Sequence, residues 1–325
     1  MPLTKAAAPF VRGGLTVAGM MRNAALALLA LLVLPVVHYG PRPLLLAGAS
    51  VLTCFACRVL VCLVRRTSVS FSEFSVLVTG LSVPMLLPLN APVWLPCAAS
   101  AFAVLAAREP FGPFGRNPFN PSAAGVAFAA LCWPQRVFSY FDPSRPYGFP
   151  LFGRAAYRAA QSPAAVLKEG LKPDILPLDL LWGRTPGPLG TTAILVVGAC
   201  GLFLFLTRTA KWEITAGFLG AAALIAALYP RILCSPATSV KYELLSGSLL
   251  FGAVFLATDP VTSPRTFSGR CVYGAFAGAL TMAFRWFGTY EQGVCFALLI
   301  ANAFAPLLDS AVLRLRGWEG KTHEA

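Results

Sequence analysis

The sequence predicts an all-α polytopic membrane protein of about ten transmembrane helices. Three observations carry this. Hydrophobic residues make up 57% of the chain and charged residues 12%, against roughly a quarter charged in soluble domains. The mean hydropathy is +0.70. Ten apolar stretches recur, separated by segments that hold most of the prolines and basic residues. The net charge of +13 would suit a nucleic-acid binder. The gathering of Lys and Arg in loops of one side explains it better, and no nucleic-acid partner is expected.

Residues 1–22 carry Lys5, Arg12 and Arg22 with no acid, which assigns them to the cytoplasm. No small-residue cleavage site there suggests a signal peptide. A first membrane half, 23–138, holds five spans. The first is 23–38, and the second, 43–64, ends at Arg65-Arg66. The third, 71–89, contains Thr79-Gly80 and runs into Val83-Pro84 and Leu87-Pro88. Proline removes a ladder donor and clashes with the preceding turn, so its last turns are expected to break. The fourth is 93–107. A loop dense in Gly and Pro, 108–122, leads to the fifth at 123–138.

Residues 139–190 are too polar to span and form an extracytoplasmic segment with short interfacial helices. Ser162-Pro163 reads there as a capped helix start. The glycines and prolines from Gly183 to Gly190 read as a turn-rich return to the membrane. A second half, 191–309, repeats five spans at 191–206, 214–228, 242–258, 272–287 and 293–308. The basic stretch 310–325 is a cytoplasmic tail. Several spans fall short of the roughly 20 residues that a bilayer needs, so flanking polar residues must complete them.

Ten spans put both termini on one side. The short outer loops then hold only Arg42, Arg231, Lys241 and Arg285, while the inner loops hold Arg58, Arg65, Arg108, Arg116, Arg208, Lys211, Arg265 and Arg270 among others. Five spans per half would invert the second half on the first. The third span breaks at TGLSVPMLLP and its counterpart, the eighth, at ATDPVTSP. Asn117–Pro121 leads into span five, and Asn302 and Pro306 lie inside span ten. Broken helices at matching places in two inverted halves point to a central site.

Two motifs are candidates for that site. In Ala257–Thr266, ATDPVTSPRT, an acid, three hydroxyls (Thr258, Thr262, Ser263) and two prolines sit where a helix leaves the hydrocarbon. Asp259-Pro260 and Ser263-Pro264 push the backbone away from helix. Irregular polar backbone at membrane depth requires burial in protein or a cavity, and Asp259 is the candidate for cation coupling. A capped surface loop is the plainer reading. In Phe114–Gly125, FGRNPFNPSAAG, Asn117 and Asn120 each precede a proline. They read either as helix caps or as amides that grip a flat polar ring, with Phe111, Phe114 and Phe119 to stack on it.

Other chemistries find no support. Most of the nine cysteines lie inside apolar runs and read as small buried hydrophobes. Cys54 and Cys57 could share a helix face, but His38 and His323 are the only histidines, too few for a structural metal site beside them. No hydrolase triad spacing, Walker loop or Rossmann fingerprint occurs.

Three passages, FGRNPFNPSAAG, ATDPVTSPRTFSGR and GTYEQGVCFALLIANAFAPLLD, together resemble the D subunit of the Rnf electron-transport complex and its relative, the B subunit of the sodium-pumping NADH:quinone reductase. The likeness extends through Val78–Leu81 (VTGL) and Ala165–Gly170 (AVLKEG). Gln292 stands as an insertion after Glu291 in the closing motif. The resemblance implies ten spans and a bacterial cytoplasmic (inner) membrane. It implies electron transfer through flavin coupled to Na⁺ or H⁺ movement, and other Rnf-type membrane and peripheral subunits as partners. It also implies FMN joined by a phosphoester to the hydroxyl that Ser162 supplies here, and riboflavin as a further cofactor. The Asp and Gly-Ala that a flavin transferase reads before that position are replaced, with Ala156, Tyr157, Arg158, Ala159, Ala160 and Gln161 standing there. A non-covalent flavin is therefore the alternative, lined by Asn117, Asn120, Thr258, Asp259, Thr262 and Ser263. A secondary transporter, or a structural subunit that has lost its covalent flavin, are the competing functions.

Overall fold

The computed structural model describes residues 16–67, 74–112, 115–143 and 158–322. The expectations for Phe114, Ala156, Tyr157, His323 and most of the N-terminal segment lie outside the described residues.

The described residues are mostly helical. The first group is α1 (Val17–Tyr39), α2 (Arg42–Arg65), α3 (Phe74–Met85), α4 (Trp94–Leu105) and α5 (Pro121–Cys132). The second is α9 (Ile194–Leu206), α10 (Trp212–Leu228), α11 (Pro236–Leu245) with α12 (Leu249–Phe251), α13 (Phe267–Phe287) and α14 (Val294–Thr322). Between the groups lie α6 (Pro134–Val137), α7 (Pro163–Lys168) and α8 (Pro177–Trp182). The strands β1 (Tyr140–Phe141) and β2 (Ala159–Ala160) pair antiparallel, Tyr140 opposite Ala160. They are the sole strands among the described residues. A helix lies in each of the ten apolar stretches. Three of them, α1, α2 and α14, are long and apolar enough to cross a membrane alone, and the bent pair α11–α12 would make a fourth. The chain is an integral membrane protein.

Local chemistry sets the ends. Thr16, Asn120, Ser162, Ser235 and Thr266 each cap a helix, the side-chain oxygen accepting a backbone N–H three residues on. Pro134 ends α5 at Cys132, earlier than the expected 138, because Trp133 before it leaves the helical region. The third stretch stops at Met85, as its prolines predict. The last helix runs on through the expected tail to Thr322. The eighth stretch breaks earlier than expected. α11 ends at Leu245, Gly247 adopts φ +64°, and the chain turns by 68° before α12. A second irregularity follows directly, a π-helical turn over Gly252–Leu256.

The second and fourth helices of each group lie along one another, α2 on α4 and α10 on α13. In α13, Gly274 and Gly278 let the backbones touch. A Cβ on Gly274 would stand 2.2 Å from the Ile214 carbonyl oxygen, and one on Gly278 2.3 Å from that of Phe218. Small residues four apart are the usual device for close helix approach in membranes. Gly274→Ala is expected to force the helices apart and cost about 1–3 kcal/mol. Gly220→Ala, whose Cβ would meet nothing within 4 Å, is the control. Unfolding midpoints in detergent check both.

Three of the four cations expected in the short outer loops are structural. Arg42, 2% exposed, donates to the Leu89 and Ala91 carbonyls beyond the end of α3. Arg285 is fully buried and donates to the carbonyls of Glu243 and Ser246, where α11 breaks, and to the Glu243 carboxylate. Arg231 binds the other Glu243 oxygen at 2.5 Å. These side chains satisfy carbonyls that the broken helix leaves without partners.

Candidate functional site

A cavity of about 750 Å³, its open mouth included, lies where the two helix groups meet. Its walls come from the start of α1 (Met20, Met21), one face of α3, the 108–122 loop, the α9–α10 loop (Thr209, Ala210) and the segment from Val254 to Val261. These are the loops that charge assigns to the inner side. Leu28, Val78, Leu204 and Phe255 are among its apolar lining; Thr79, Ser82, Asn117, Asn120, Thr258 and Asp259 are among its polar lining.

Asn120 is the centre of the polar lining. Its Oδ1 caps α5 by accepting the Ala123 N–H at 3.1 Å. Its Nδ2 donates to the Leu256 carbonyl at 3.2 Å and faces Asp259 Oδ2 at 3.4 Å. The π-turn ends at Leu256, whose carbonyl has one long backbone bond, from the Asp259 N–H at 3.4 Å, and a side chain from the other helix group meets it there. Asp259 turns its own loop: Oδ1 accepts the Val261 N–H at 3.2 Å, and the Thr262 hydroxyl approaches Oδ2 at 3.5 Å. Thr258 returns its hydroxyl to the Val254 carbonyl. Asn117 holds the Phe119 carbonyl at 3.0 Å. The far end of the loop is fixed by Asp309 of α14, which accepts from the Arg265 and Thr266 N–H groups and from the Thr266 hydroxyl.

Of the seven residues expected at a flavin or ion site, Asn117, Asn120, Thr258 and Asp259 border the cavity. Thr262 stands behind Asp259, and Ser263 meets the Asp259 carbonyl through its backbone N–H. Neither borders the cavity. Phe111 and Phe119 touch each other edge to face and also stay outside it, leaving Phe255 as its aromatic wall. Ser75 and Ser82 join the wall without having been expected there, beside Thr79, which was noted only in the break of the third span. Their spacing was the signal, a polar stripe on one face of an otherwise apolar helix. Arg108 joins them by donating to Ser75 Oγ at 2.8 Å.

Ser162 lies elsewhere. Its hydroxyl accepts the Ala165 N–H at 3.1 Å and donates to Glu291 Oε2 at 2.8 Å, and the residue is 1% exposed. Glu291 follows α13 and Asp259 precedes it. The 21 residues of that helix measure about 31 Å, so the two places sit at opposite ends of the bundle. Lys168 of α7 also reaches the Thr289 carbonyl, tying the same segment to the α13–α14 turn.

Burial pushes the Glu291 carboxyl above its ordinary 4.5, against the hydrogen bonds from Ser162, Tyr140 and Gln292. A raised folded-state value means that this contribution to stability is complete below the unfolded value and fades as pH climbs through the folded one. Glu291→Gln has no proton to lose. Its unfolding midpoint is expected to fall less than the wild type's between about pH 4 and 8, as thermal unfolding across that range would read.

The family model described as the NQR2, RnfD, RnfE family matches residues 4–316. Relatives from Salmonella paratyphi A, Salmonella paratyphi B and Salmonella enteritidis PT4 are each 32% identical, over 79% of this chain and 82% of the relative. Each of those proteins is described as the D subunit of an ion-translocating oxidoreductase complex. With two of its three motif passages lining one cavity and the match running almost the full chain, the protein belongs to the NQR2, RnfD, RnfE family.

Proposed function

We propose that this chain is the membrane subunit of an Rnf-type electron-transport complex and that it holds a flavin non-covalently in the inner-end cavity. One observation carries the reading: Asn120 and Asp259, 139 residues apart in sequence, meet at 3.4 Å in the lining of a cavity that mixes polar and apolar side chains. A flavin ring has that character, a polar pyrimidine edge and an apolar dimethylbenzene edge. The amide of Asn117, which makes a single bond to the Phe119 carbonyl, would serve the polar edge and Phe255 the apolar one. When bound, the flavin supplies the electron-carrying chemistry; the chain supplies position, electrostatics and exclusion of water. Ten spans in two inverted halves, both termini cytoplasmic, partner Rnf-type subunits in a bacterial inner membrane, and Na⁺ or H⁺ coupling complete the reading. The pairing of second with fourth helix in both groups supports the repeat.

The residues do not fit covalent FMN at Ser162. A phosphoester needs the hydroxyl oxygen free for substitution and open to an enzyme. Here its proton is given to Glu291, a lone pair is given to α7, and the residue is buried. The test is acid extraction and intact mass of the chain purified after co-expression with a flavin transferase. Flavin released by acid, with an unmodified mass, is expected. A mass gain matching FMN that vanishes in Ser162→Ala would overturn the non-covalent assignment. No extractable flavin, together with no quenching of added riboflavin or FMN fluorescence, would overturn the cavity reading and leave a structural subunit.

A further inference from the structure

We infer that Tyr273 and Asn302 are positioning residues that fix Asn120 from behind the cavity wall. The inference rests on the flavin reading for its ligand; the positioning itself belongs to the chain alone.

Neither side chain borders the cavity. Tyr273 on α13 is fully buried and Asn302 on α14 is 2% exposed. A buried phenol and amide are costly unless paired. They pair with each other: Tyr273 Oη lies 2.6 Å from the Asn302 amide. In the orientation that satisfies both ends of that amide, Nδ2 donates to Tyr273 Oη at 2.6 Å and to the Leu298 carbonyl at 3.3 Å, and Oδ1 accepts the Asn120 backbone N–H at 2.9 Å. That N–H precedes α5 and has no place in its ladder. Asn302 is the partner that lets Asn120 be buried in its extended cap conformation, φ −66° and ψ 118°.

The consequence reaches the cavity through Asn120. Its backbone is held by α14, and its side chain then spans to Leu256 and Asp259 at 3.2 and 3.4 Å. Those contacts are already long for N–H···O bonds. A small rotation of Asn120 would lose both. One chain of bonds therefore runs from α13 through α14 to the start of α5 and on to the π-turn. It crosses from one helix group to the other.

The test uses the full-length purified chain with Asn302→Ala and Tyr273→Phe. Three readings are taken: hydrogen exchange of peptides covering residues 117–125, riboflavin affinity by fluorescence quenching, and the global unfolding midpoint. Tyr273→Phe keeps the ring and serves if Asn302→Ala folds poorly. Faster exchange confined to 117–125 is expected in both variants without bound flavin, with riboflavin affinity reduced about tenfold in Asn302→Ala. Wild-type exchange in that segment in the folded variants would overturn the inference, whatever the affinity. If the wild type binds no riboflavin, the flavin reading falls, and exchange alone still decides whether the pair positions Asn120.

Discussion

Asn120→Ala is expected to destabilise the chain by roughly 1–3 kcal/mol and, on the proposed function, to abolish retention of the flavin. The side chain has two separable duties. As an acceptor it caps α5 at the Ala123 N–H; as a donor it meets the Leu256 carbonyl and faces Asp259. Losing the cap costs about 1 kcal/mol. Removing the amide leaves the buried Leu256 carbonyl with the Asp259 N–H alone, at 3.4 Å, and costs about 0.5–1.5 kcal/mol more, the net worth of one hydrogen bond. Two further variants separate the duties. Asn120→Ser keeps a capping oxygen but cannot reach across to Leu256. Asn120→Asp caps equally well, yet it has no N–H to donate and sets a second carboxylate beside Asp259. If capping alone mattered, Asp and Ser would both be mild. The contacts across the cavity wall predict that Asp is the worse of the two, in riboflavin quenching as well as in the unfolding midpoint.

The second large effect is at the opposite end. Arg285→Ala is expected to cost about 3–5 kcal/mol, the range for breaking a buried ion pair by removing one partner. Arg285 is fully buried, and its two terminal nitrogens serve three acceptors: the Glu243 carboxylate at 2.9 Å, the Glu243 carbonyl at 2.6 Å and the Ser246 carbonyl at 2.7 Å. Without it, the carbonyls where α11 breaks lose their donor, and Glu243 keeps only Arg231. Burial raises the cost of every group left unpaired. Arg285→Lys should recover less than half of the loss, because a single ammonium cannot reproduce a planar fork directed at several acceptors. Arg265→Ala, at an exposed residue, should stay within about 0.5 kcal/mol. Denaturing-detergent titration followed by Trp286 fluorescence, one residue from the altered site, reads both. An Arg285→Ala midpoint equal to wild type would mean that the 68° bend between α11 and α12 is held by packing alone.

The cavity end sets hydroxyls and amides beside Asp259 and open space, with Glu109 paired to Arg58 and Arg108 nearby. The Ser162 end closes a buried cluster of Arg231, Glu243 and Arg285 over the break in α11. Asp309 belongs to the cavity end, where it holds the Arg265 and Thr266 N–H groups and so anchors the loop that carries Asp259.

The all-α membrane class and the place of the helices were legible in the residues alone, because hydropathy is a local, compositional property. So were the loops that matter. Asp-Pro and Asn-Pro steps inside apolar chain declare irregular polar backbone wherever they occur. Asn120 and Asp259 stood out separately, each from its own neighbours. That they meet emerges with the packed helices, since a contact between residues 139 apart leaves no trace in local spacing. The bend at Gly247 was equally hidden, because it depends on Arg285, 38 positions further along in α13, supplying donors to carbonyls that a continuous helix would have used. Ser162 is the clearest case. Its hydroxyl and its place before a proline are visible in sequence, but whether that oxygen is open to modification depends on Glu291 folding over it from the far side of the second helix group.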